Sequence, residues 1–337
     1  MAIEILATGR YLPERRVTND ELAKTVETND EWIRSHTGIG SRHFASPDQA
    51  TSDLAYEAAM DALESLAPGK AAEAALTLDL IVVATGTSDY YGFPSVACLI
   101  QDRLGAVNAG AFDVAAACTG FVYALDAAAG MLSFGHRKRA LVVGADVLTK
   151  ITNWEDRGTC VLFGDAAGAA ILERTDAPAE GPGKRGIIQS ILKAQGSGAQ
   201  ELKCERGGTR NPYKDGETIE KATHIYMNGR AVYTFAVKAF TDIMQELLDR
   251  EGIAMDRVKK IIPHQANERI VQAAAKRFGL SEDKFFMNID KYANTSAATI
   301  PVALDEYAKT GELKKGDIIM TVGFGGGLTY GGNLIVW

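Results

Sequence analysis

The stretch DVAAACTGFV, residues 113–122, places one cysteine between a short apolar run and the start of a helical pattern. Apolar residues continue at helical spacing from Val122 to Leu132, which is typical of a buried helix. Cys118 is therefore expected at the start of this helix, on the floor of a pocket. Unpaired N–H groups and the partial positive charge of a helix N-terminus favour the thiolate, the nucleophilic form of cysteine. Most lone cysteines are small core residues instead, so other parts of the chain have to decide.

Composition and charge limit the classes of function. The chain has 337 residues, 46% hydrophobic and 23% charged, which is ordinary for a globular protein of one large domain or two of ordinary size. A net charge of −7 disfavours nucleic-acid binding. The four cysteines show no CxxC spacing, which disfavours a zinc site and predicts a reducing, cytoplasmic location. The chain shows no signal peptide and no apolar run of about 18 residues, so no membrane association is expected.

Short β-branched runs alternate with helical patterns, and this alternation predicts an α/β fold whose sheets are covered by helices. Strands are predicted at 80–86, 140–147, 168–173, 259–264, 317–323 and 333–337, and helices at 51–67, 119–134 and 236–252. A segment rich in proline, glycine and charge, 175–186, is the predicted linker.

The segments on the two sides of this linker repeat one order of strands and helices. The repetition predicts a duplication into two pseudo-symmetric halves, an N-terminal half at 1–178 and a C-terminal half at 186–337. In that alignment Cys118 and Asn294 are counterparts, each at the start of a central helix. The alternative is that any two α/β segments resemble each other at this level of detail.

Polar residues follow a predicted strand in IIPHQANERI, residues 261–270. His264 ends the strand, and Asn267 precedes a helical pattern. A histidine at a strand end is more often structural than catalytic. The polar residues beside it indicate a loop that lines a site, and Asn267 could also cap the helix, which is compatible with that role.

Glycines are dense in VGFGGGLTYGG, residues 322–332, directly after another predicted strand. Such a loop lets the main chain approach a ligand closely and offers N–H groups as an oxyanion hole. A phosphate-binding loop is disfavoured, because no Gly-Lys-Ser or Gly-Lys-Thr follows and the glycines lie between two strands.

The motifs of the chain, taken in order, match those of a known enzyme family over the whole length. They are DEWIRSHTGI at 30–39, GFPS at 92–95, AAACTGF around Cys118, DRGT at 156–159, FGDAAGAA at 163–170, PHQAN around His264, NTSAA from Asn294, and GFGGG. With these motifs the chain resembles the beta-ketoacyl-[acyl-carrier-protein] synthase III family, the condensing enzymes that initiate fatty acid biosynthesis. The resemblance implies a thiolase-like duplicated α/β fold in five layers, αβαβα.

The resemblance implies catalytic roles for four residues. Cys118 attacks the thioester of a short acyl-CoA, such as acetyl-CoA, and keeps the acyl group while CoA leaves. His264 and Asn294 then polarise the thioester carbonyl of malonyl-[acyl-carrier protein] and stabilise the enolate formed as CO₂ departs. A neutral Nε2–H and an amide NH₂ can both donate to that oxygen. The N–H groups of Cys118 and Gly326 form a second oxyanion hole. No metal and no redox cofactor is implied, since the CoA thioester is a substrate.

The resemblance also implies a CoA site. Trp32 stacks on the adenine with Arg157 on the other face, and Asn267 hydrogen bonds to the pantetheine arm. The family usually has an arginine at the position of His36, so Arg34 is the expected substitute for a contact with a CoA phosphate.

Two phenylalanines are assigned to the acyl pocket and the malonyl site, namely Phe93 and Phe324. The family is dimeric, and Phe93 of one chain would reach the acyl pocket of the other. The length and branching of the primer do not follow from the sequence.

Docking of the acidic carrier protein is assigned to Arg269, Lys276 and Arg277, on the predicted helix after His264. Arg269 and Lys276 share one helix face. A solvated helix face is the alternative for each. A further family lysine is replaced here by Thr234, and Lys238 one turn later could substitute for it.

Other functions stay open at this stage. A tailoring synthase or acyltransferase of secondary metabolism has the same fold and triad. A thiolase would need a second cysteine near the glycine loop, and a chain-elongating synthase would have a histidine in place of Asn294. A Cys-His-Asn thiol hydrolase uses the same residue types, but it would normally be a secreted, disulfide-bonded chain. A non-catalytic acyl-CoA-binding relative would not need the complete triad.

Overall fold

The computed structural model describes residues 1–181, 183–204, 207–213 and 224–337. In chain order the strands are β1 Ala2–Tyr11, β2 Arg15–Thr18, β3 Ser41–Phe44, β4 Leu80–Ala84, β5 Gly110–Val114, β6 Arg139–Val147, β7 Asp165–Thr175, β8 Gly186–Ala194, β9 Leu202–Cys204, β10 Ile225–Met227, β11 Val258–Pro263, β12 Ile318–Gly325 and β13 Thr329–Val336. The six predicted strands are confirmed as β4, β6, β7, β11, β12 and β13.

The helices in the same order are α1 Asn19–Leu22, α2 Asp30–Thr37, α3 Thr51–Leu66, α4 Ala71–Ala75, α5 Val96–Arg103, α6 Gly120–Ser133, α7 Arg157–Cys160, α8 Gly229–Glu251, α9 Glu268–Phe278, α10 Ile289–Tyr292 and α11 Thr299–Lys309. The predicted helices correspond to α3, α6 and α8. Helix α8 begins earlier than the predicted residue 236, because the Asn228 side chain caps it by accepting a hydrogen bond from the N–H of Ala231.

Two mixed sheets form the β layers. The first has the strand order β1-β7-β6-β4-β5 and the second the order β8-β13-β12-β11. Helices α6 and α11 lie between the sheets, with Phe121, Leu125, Ile300 and Leu304 in the shared core. Helices α3 and α5 cover the outer face of the first sheet, and α8 and α9 cover that of the second. The predicted five-layer αβαβα fold is therefore confirmed.

The two sheets repeat one set of strand directions. In the first, β1 and β7 are antiparallel, β7 and β6 are antiparallel, and β6 and β4 are parallel. In the second, β8, β13, β12 and β11 follow with the same directions. The fold is thus duplicated as predicted, whereas the boundaries at 1–178 and 186–337 stay a prediction.

The predicted pairing of Cys118 with Asn294 across the duplication is wrong. A 3₁₀ turn precedes each central helix, Ala117–Thr119 before α6 and Ser296–Ala298 before α11. Each turn begins with a residue at positive φ, 44° at Ala117 and 51° at Ser296. In this alignment the counterpart of Cys118 is Ala297, because Asn294 precedes its turn by two residues.

Strands β1, β5 and β8 add to the predicted set in these two sheets, and each lies at an edge of its sheet. Gly9 lies inside β1. A Cβ at Gly9 would be 2.2 Å from the main-chain nitrogen of Ala62 in α3. The glycine therefore permits a close approach of helix to strand instead of ending the strand. Within the described ranges, no helix is both long and apolar enough to cross a membrane.

Candidate active site

Cys118 lies in the 3₁₀ turn that leads into α6, as the helical pattern predicts. This turn is held against the glycine-rich loop between β12 and β13. The hydroxyl of Thr329 lies 3.1 Å from the Ala116 carbonyl oxygen and 3.0 Å from that of Gly326, and Thr119 Oγ1 donates to the Thr329 carbonyl at 3.0 Å. The turn that contains Cys118 and the loop that contains Gly326 are therefore one hydrogen-bonded unit.

The environment of Cys118 favours its neutral thiol form. Burial raises the pKa of its thiol to about 12, and this outweighs a hydrogen bond with the Ser296 side chain that acts in the opposite direction. The nearby Asp146 carboxylate raises the pKa further. Burial and the helix N-terminus therefore act in opposite directions on this thiol, because burial penalises the charged form that the helix N-terminus favours.

His264 directly follows β11 and is 2% exposed. Its main-chain N–H donates to the Val322 carbonyl at 2.8 Å, which ties it to β12. The ring stands edge-on to Phe324, with centroids 5.2 Å apart, and its Nδ1 lies 2.7 Å from the hydroxyl of Thr299. Burial lowers the pKa of His264 to about 3, so the imidazole is neutral at physiological pH.

Asn294 lies in the irregular segment between α10 and α11. Its main chain bonds to the segment around Phe163, accepting from Gly164 N–H and donating to the Leu162 carbonyl. Its side-chain Oδ1 accepts a hydrogen bond from the N–H of Ser296 at 2.9 Å. Because the oxygen is engaged there, the amide NH₂ is left as the donor.

One cavity of about 470 Å³ brings these residues together. Cys118, His264, Asn294, Phe324 and Gly326 all line it, and so do residues assigned to CoA, namely Trp32 and Asn267. Its wall also contains an apolar group that the sequence did not single out: Leu148, Phe163, Leu202 and Ile225. These come from segments far apart in the chain, two of them from the small β9–β10 ribbon, and no local pattern marks them.

The sequence also left Asp146 unnoticed, although it is fully buried at the end of β6. Its Oδ1 accepts hydrogen bonds from Thr85 Oγ1, Gly86 N–H and Thr87 Oγ1, at 3.1, 2.8 and 2.9 Å. Its Oδ2 accepts from the N–H of Ala297, in the other half, at 3.1 Å. The carboxylate therefore joins the two halves beside Cys118. Across the described part of the chain, no group of three or more His, Cys, Asp or Glu side chains could hold a metal ion.

Models of known protein families match the segments that contain Cys118, His264 and Asn294. Family models described as 3-oxoacyl-[acyl-carrier-protein (ACP)] synthase III and as the C terminal of that synthase match residues 112–196 and 248–337. A relative from Caldanaerobacter subterraneus subsp. tengcongensis, named beta-ketoacyl-[acyl-carrier-protein] synthase III, is 48% identical over 340 residues, with 100% of this chain and 98% of the relative covered. The chain belongs to the beta-ketoacyl-[acyl-carrier-protein] synthase III family.

Other relatives extend the comparison. A synthase III from Clostridium acetobutylicum is 46% identical over 338 residues, with 100% of this chain and 99% of the relative covered. The crystal structure of 3-oxoacyl-[acyl-carrier-protein] synthase III from Aquifex aeolicus superposes with a TM-score of 0.88 at 40% identity and full coverage of both chains. The priming beta-ketosynthase of the R1128 polyketide pathway is 30% identical, with a TM-score of 0.88 and coverage of 99% and 96%.

In this chain the two residues assigned to adenine touch each other. The guanidinium carbon of Arg157 lies 4.7 Å from the centre of the Trp32 ring. His36 also stacks on Trp32, with centroids 4.4 Å apart and 18° between the planes. A base sandwiched between Trp32 and Arg157 needs about twice the ~3.5–4.0 Å contact distance, so the two side chains have to separate before adenine enters.

The other residues assigned to CoA make hydrogen bonds or ion pairs within the protein. Asn267 caps α9 by accepting from Arg269 N–H at 2.9 Å, and its Nδ2 donates to the His36 carbonyl at 3.0 Å. The capping role foreseen for Asn267 is thus confirmed, and its pantetheine contact stays a prediction. Arg34 pairs with Asp30 one turn earlier, at 2.8 Å, and its contact with a CoA phosphate stays a prediction.

Phe93 does not line the cavity of its own chain and is 86% exposed. Tyr90 and Tyr91 beside it are also exposed. The predicted role of Phe93 requires a second subunit and is not tested by one chain.

The three basic residues assigned to carrier-protein docking lie on α9, but their environments differ. All three are exposed, and Arg269 donates to the Ser35 carbonyl at 2.7 Å. Arg277 reaches α8, where it donates to Thr241 Oγ1 at 2.7 Å and lies 3.6 Å from Asp242.

Lys238, the substitute considered for Thr234, pairs with the same Asp242. Asp242 thus engages two of the basic groups near α9. Within the described residues Lys276 makes no ion pair.

Proposed function

We propose that this chain joins a short acyl group from acyl-CoA to malonyl-[acyl-carrier protein], with loss of CO₂, and so initiates fatty acid biosynthesis. The observation that carries the proposal is the convergence of Cys118, His264 and Asn294 on one cavity that also contains Trp32 and Asn267. The relatives that are nearly half identical over the full length carry the name of this synthase.

In the first half-reaction, Sγ of Cys118 attacks the thioester carbon of acyl-CoA. The S–C bond of acyl-Cys118 forms, the bond to the CoA sulfur breaks, and the thiol proton of Cys118 ends on the departing CoA. The N–H groups of Cys118 and Gly326 donate to the tetrahedral oxyanion. Because Cys118 starts as a neutral thiol, proton transfer accompanies the attack.

In the second half-reaction, malonyl-[acyl-carrier protein] replaces CoA. Asn294 Nδ2 and His264 Nε2 donate hydrogen bonds to its thioester carbonyl, the carboxylate leaves as CO₂, and the enolate carbon attacks the acyl carbon on Cys118. The new C–C bond forms as the S–C bond of acyl-Cys118 breaks, and the released Cys118 thiolate takes up a proton from solvent. Both donors are neutral, which lets them stabilise the enolate oxygen in a buried site without the cost of burying a charge. The steps transfer no electrons to an external acceptor, so they require no redox cofactor.

The same proposal includes the oligomeric state of the protein and its location in the cell. The chain acts as a homodimer in the cytoplasm, and Phe93 closes the acyl pocket of the other subunit. Three aromatic side chains are exposed next to one another, namely Tyr90, Tyr91 and Phe93. This exposure supports the proposal that a second subunit covers the surface. Arg269 and Lys276 attract the acidic carrier protein to the cavity mouth.

A synthase that supplies another pathway is the second candidate, because the R1128 relative is a priming enzyme of polyketide biosynthesis. Both candidates perform the same condensation and differ in the acyl group accepted and the carrier protein served.

The test is to incubate the protein with an equimolar mixture of acyl-CoAs and to identify the acyl group on Cys118 by peptide mass spectrometry, with Cys118→Ser as the control. A short acyl group on Cys118, followed by its conversion to a 3-oxoacyl product when malonyl-[acyl-carrier protein] is added, supports the proposal. Acylation elsewhere, or hydrolysis without condensation, contradicts it. Asn294→Ala should still form acyl-Cys118 and then stall, with condensation reduced by roughly 10²–10³-fold.

A further inference from the structure

The His264 side chain makes a single hydrogen bond in the described part of the chain. Its Nδ1 lies 2.7 Å from Oγ1 of Thr299, the first residue of α11, and both residues are 2% exposed. Nε2, on the other side of the ring, has no hydrogen bond among the described residues. It is also not one of the buried side-chain atoms without a partner, so it is accessible. His264 lines the cavity, so Nε2 is the nitrogen that is open to it.

The hydrogen bonds around Thr299 indicate which nitrogen carries the proton. The Thr299 hydroxyl has one hydrogen, and two acceptors are within reach: His264 Nδ1 at 2.7 Å and the Ser296 carbonyl at 3.0 Å. That carbonyl already accepts the main-chain N–H of Thr299. An unprotonated Nδ1, by contrast, has no other donor among the described residues. The 2.7 Å separation also fits a hydroxyl donor better than an imidazole N–H donor.

We propose that Thr299 is a positioning residue whose hydroxyl donates to Nδ1 of His264 and thereby fixes the Nε2–H tautomer. A neutral imidazole carries one hydrogen, so a hydrogen bond received at Nδ1 places that hydrogen on Nε2. The inference rests on the proposed function, in which Nε2 donates to the malonyl thioester carbonyl. In the opposite tautomer, Nε2 would present a lone pair to that oxygen and could not stabilise the enolate.

The rest of the His264 environment holds the ring but does not choose the tautomer. Phe324 meets the imidazole edge-on and offers no hydrogen-bond partner, and the His264 main chain is bonded to Val322. Thr299 is therefore the group through which the tautomer is set, and its own position follows from the turn at Ser296.

The test uses protein labelled with ¹⁵N at its five histidines, with the His264 signals assigned by comparison with His264→Gln. The ¹⁵N shifts and two-bond couplings distinguish a protonated from an unprotonated ring nitrogen without any reaction. We expect Nε2–H in the wild type and in Thr299→Ser. Thr299→Val, which removes the hydroxyl at nearly constant size, should give a mixture of tautomers.

Rates measured on the same variants separate positioning from structural damage. Thr299→Val should acylate Cys118 at the wild-type rate and lose roughly 10–10²-fold in condensation, with Thr299→Ser restoring most of it. An Nδ1–H signal in the wild type, or wild-type condensation in Thr299→Val, overturns the inference. If Thr299→Val does not fold, the wild-type and Thr299→Ser spectra decide. If Nε2–H is found but the wild type does not condense, the proposed function fails while the tautomer assignment stands.

Discussion

Gly325, the last residue of β12, lies directly against Cys118. A Cβ on Gly325 would be 2.8 Å from both the main-chain nitrogen and the Cβ of Cys118. Real side chains do not approach this closely, so the turn that contains Cys118 keeps its position only while residue 325 is a glycine.

Replacing Gly325 by alanine should therefore slow acyl-Cys118 formation by roughly 10–10²-fold, since even a 1 Å displacement of a reacting group can cost that much. The matched control is Gly326→Ala. It keeps the N–H assigned to the oxyanion hole, and its added Cβ has no contact closer than 3.4 Å. Single-turnover acylation followed by mass spectrometry measures both. Equal rates in the two variants would contradict the steric argument.

The raised pKa of Cys118 predicts slow, strongly pH-dependent alkylation. With a pKa of about 12, the thiolate fraction grows about tenfold for each pH unit and reaches no plateau below pH 9. Iodoacetamide labelling from pH 6 to 9, with peptide mapping to separate Cys118 from the other cysteines, measures the profile. A plateau near pH 7 would mean that the helix N-terminus overcomes burial after all.

The depressed pKa of His264 predicts a pH-dependent loss of stability. The folded-state value of about 3 lies below the ordinary value of ~6.5, so the unfolded chain takes up the proton first as pH falls. Between about pH 6.5 and 3, His264 should cost up to about 1.4 kcal/mol of unfolding free energy for each pH unit. Urea unfolding of wild type and His264→Gln should diverge in that window. Parallel curves would show that His264 titrates normally.

Asp146 holds the two halves together, and Asp146→Asn should weaken this link. The amide oxygen can still serve the donors on Oδ1, but the NH₂ group would face the N–H of Ala297 and leave it without an acceptor. A buried unpaired donor costs about 1–3 kcal/mol of unfolding free energy. Urea midpoints measure the loss, and Asp102→Asn, at an exposed position, should change stability by less than about 0.5 kcal/mol. If both variants lost the same unfolding free energy, the hydrogen bond from Ala297 to Asp146 would not stabilise the contact between the halves.

Carrier-protein docking can be tested with a control on the same helix. Arg269→Glu and Lys276→Glu should weaken condensation and spare acylation by acyl-CoA, with defects that shrink as salt rises. Arg277→Glu should have a smaller effect, because Arg277 already lies beside Asp242 and bonds to Thr241. The measurement is condensation rate against carrier-protein concentration at low and high salt. An unchanged carrier-protein affinity in Arg269→Glu and Lys276→Glu would remove this face from the docking surface.

The sequence alone determined the elements that have strong local patterns. The β-branched runs at β4, β6 and β12 and the apolar spacing of α6 reflect buried strands and a buried helix, which need no distant contact to be recognised. The motifs around Cys118, His264 and Asn294 then indicated the family and the chemistry of the site.

Only the tertiary structure decided how these groups behave. Burial depends on residues distant in the chain, and it makes Cys118 a thiol and His264 a neutral ring. The role of Asp146 depends on a hydrogen bond that spans 151 positions to Ala297, and that of Thr299 on one that spans 35 to His264. Such contacts leave no periodic signal, because each partner is an ordinary residue of its own segment and the pair exists only when segments distant in the chain pack together.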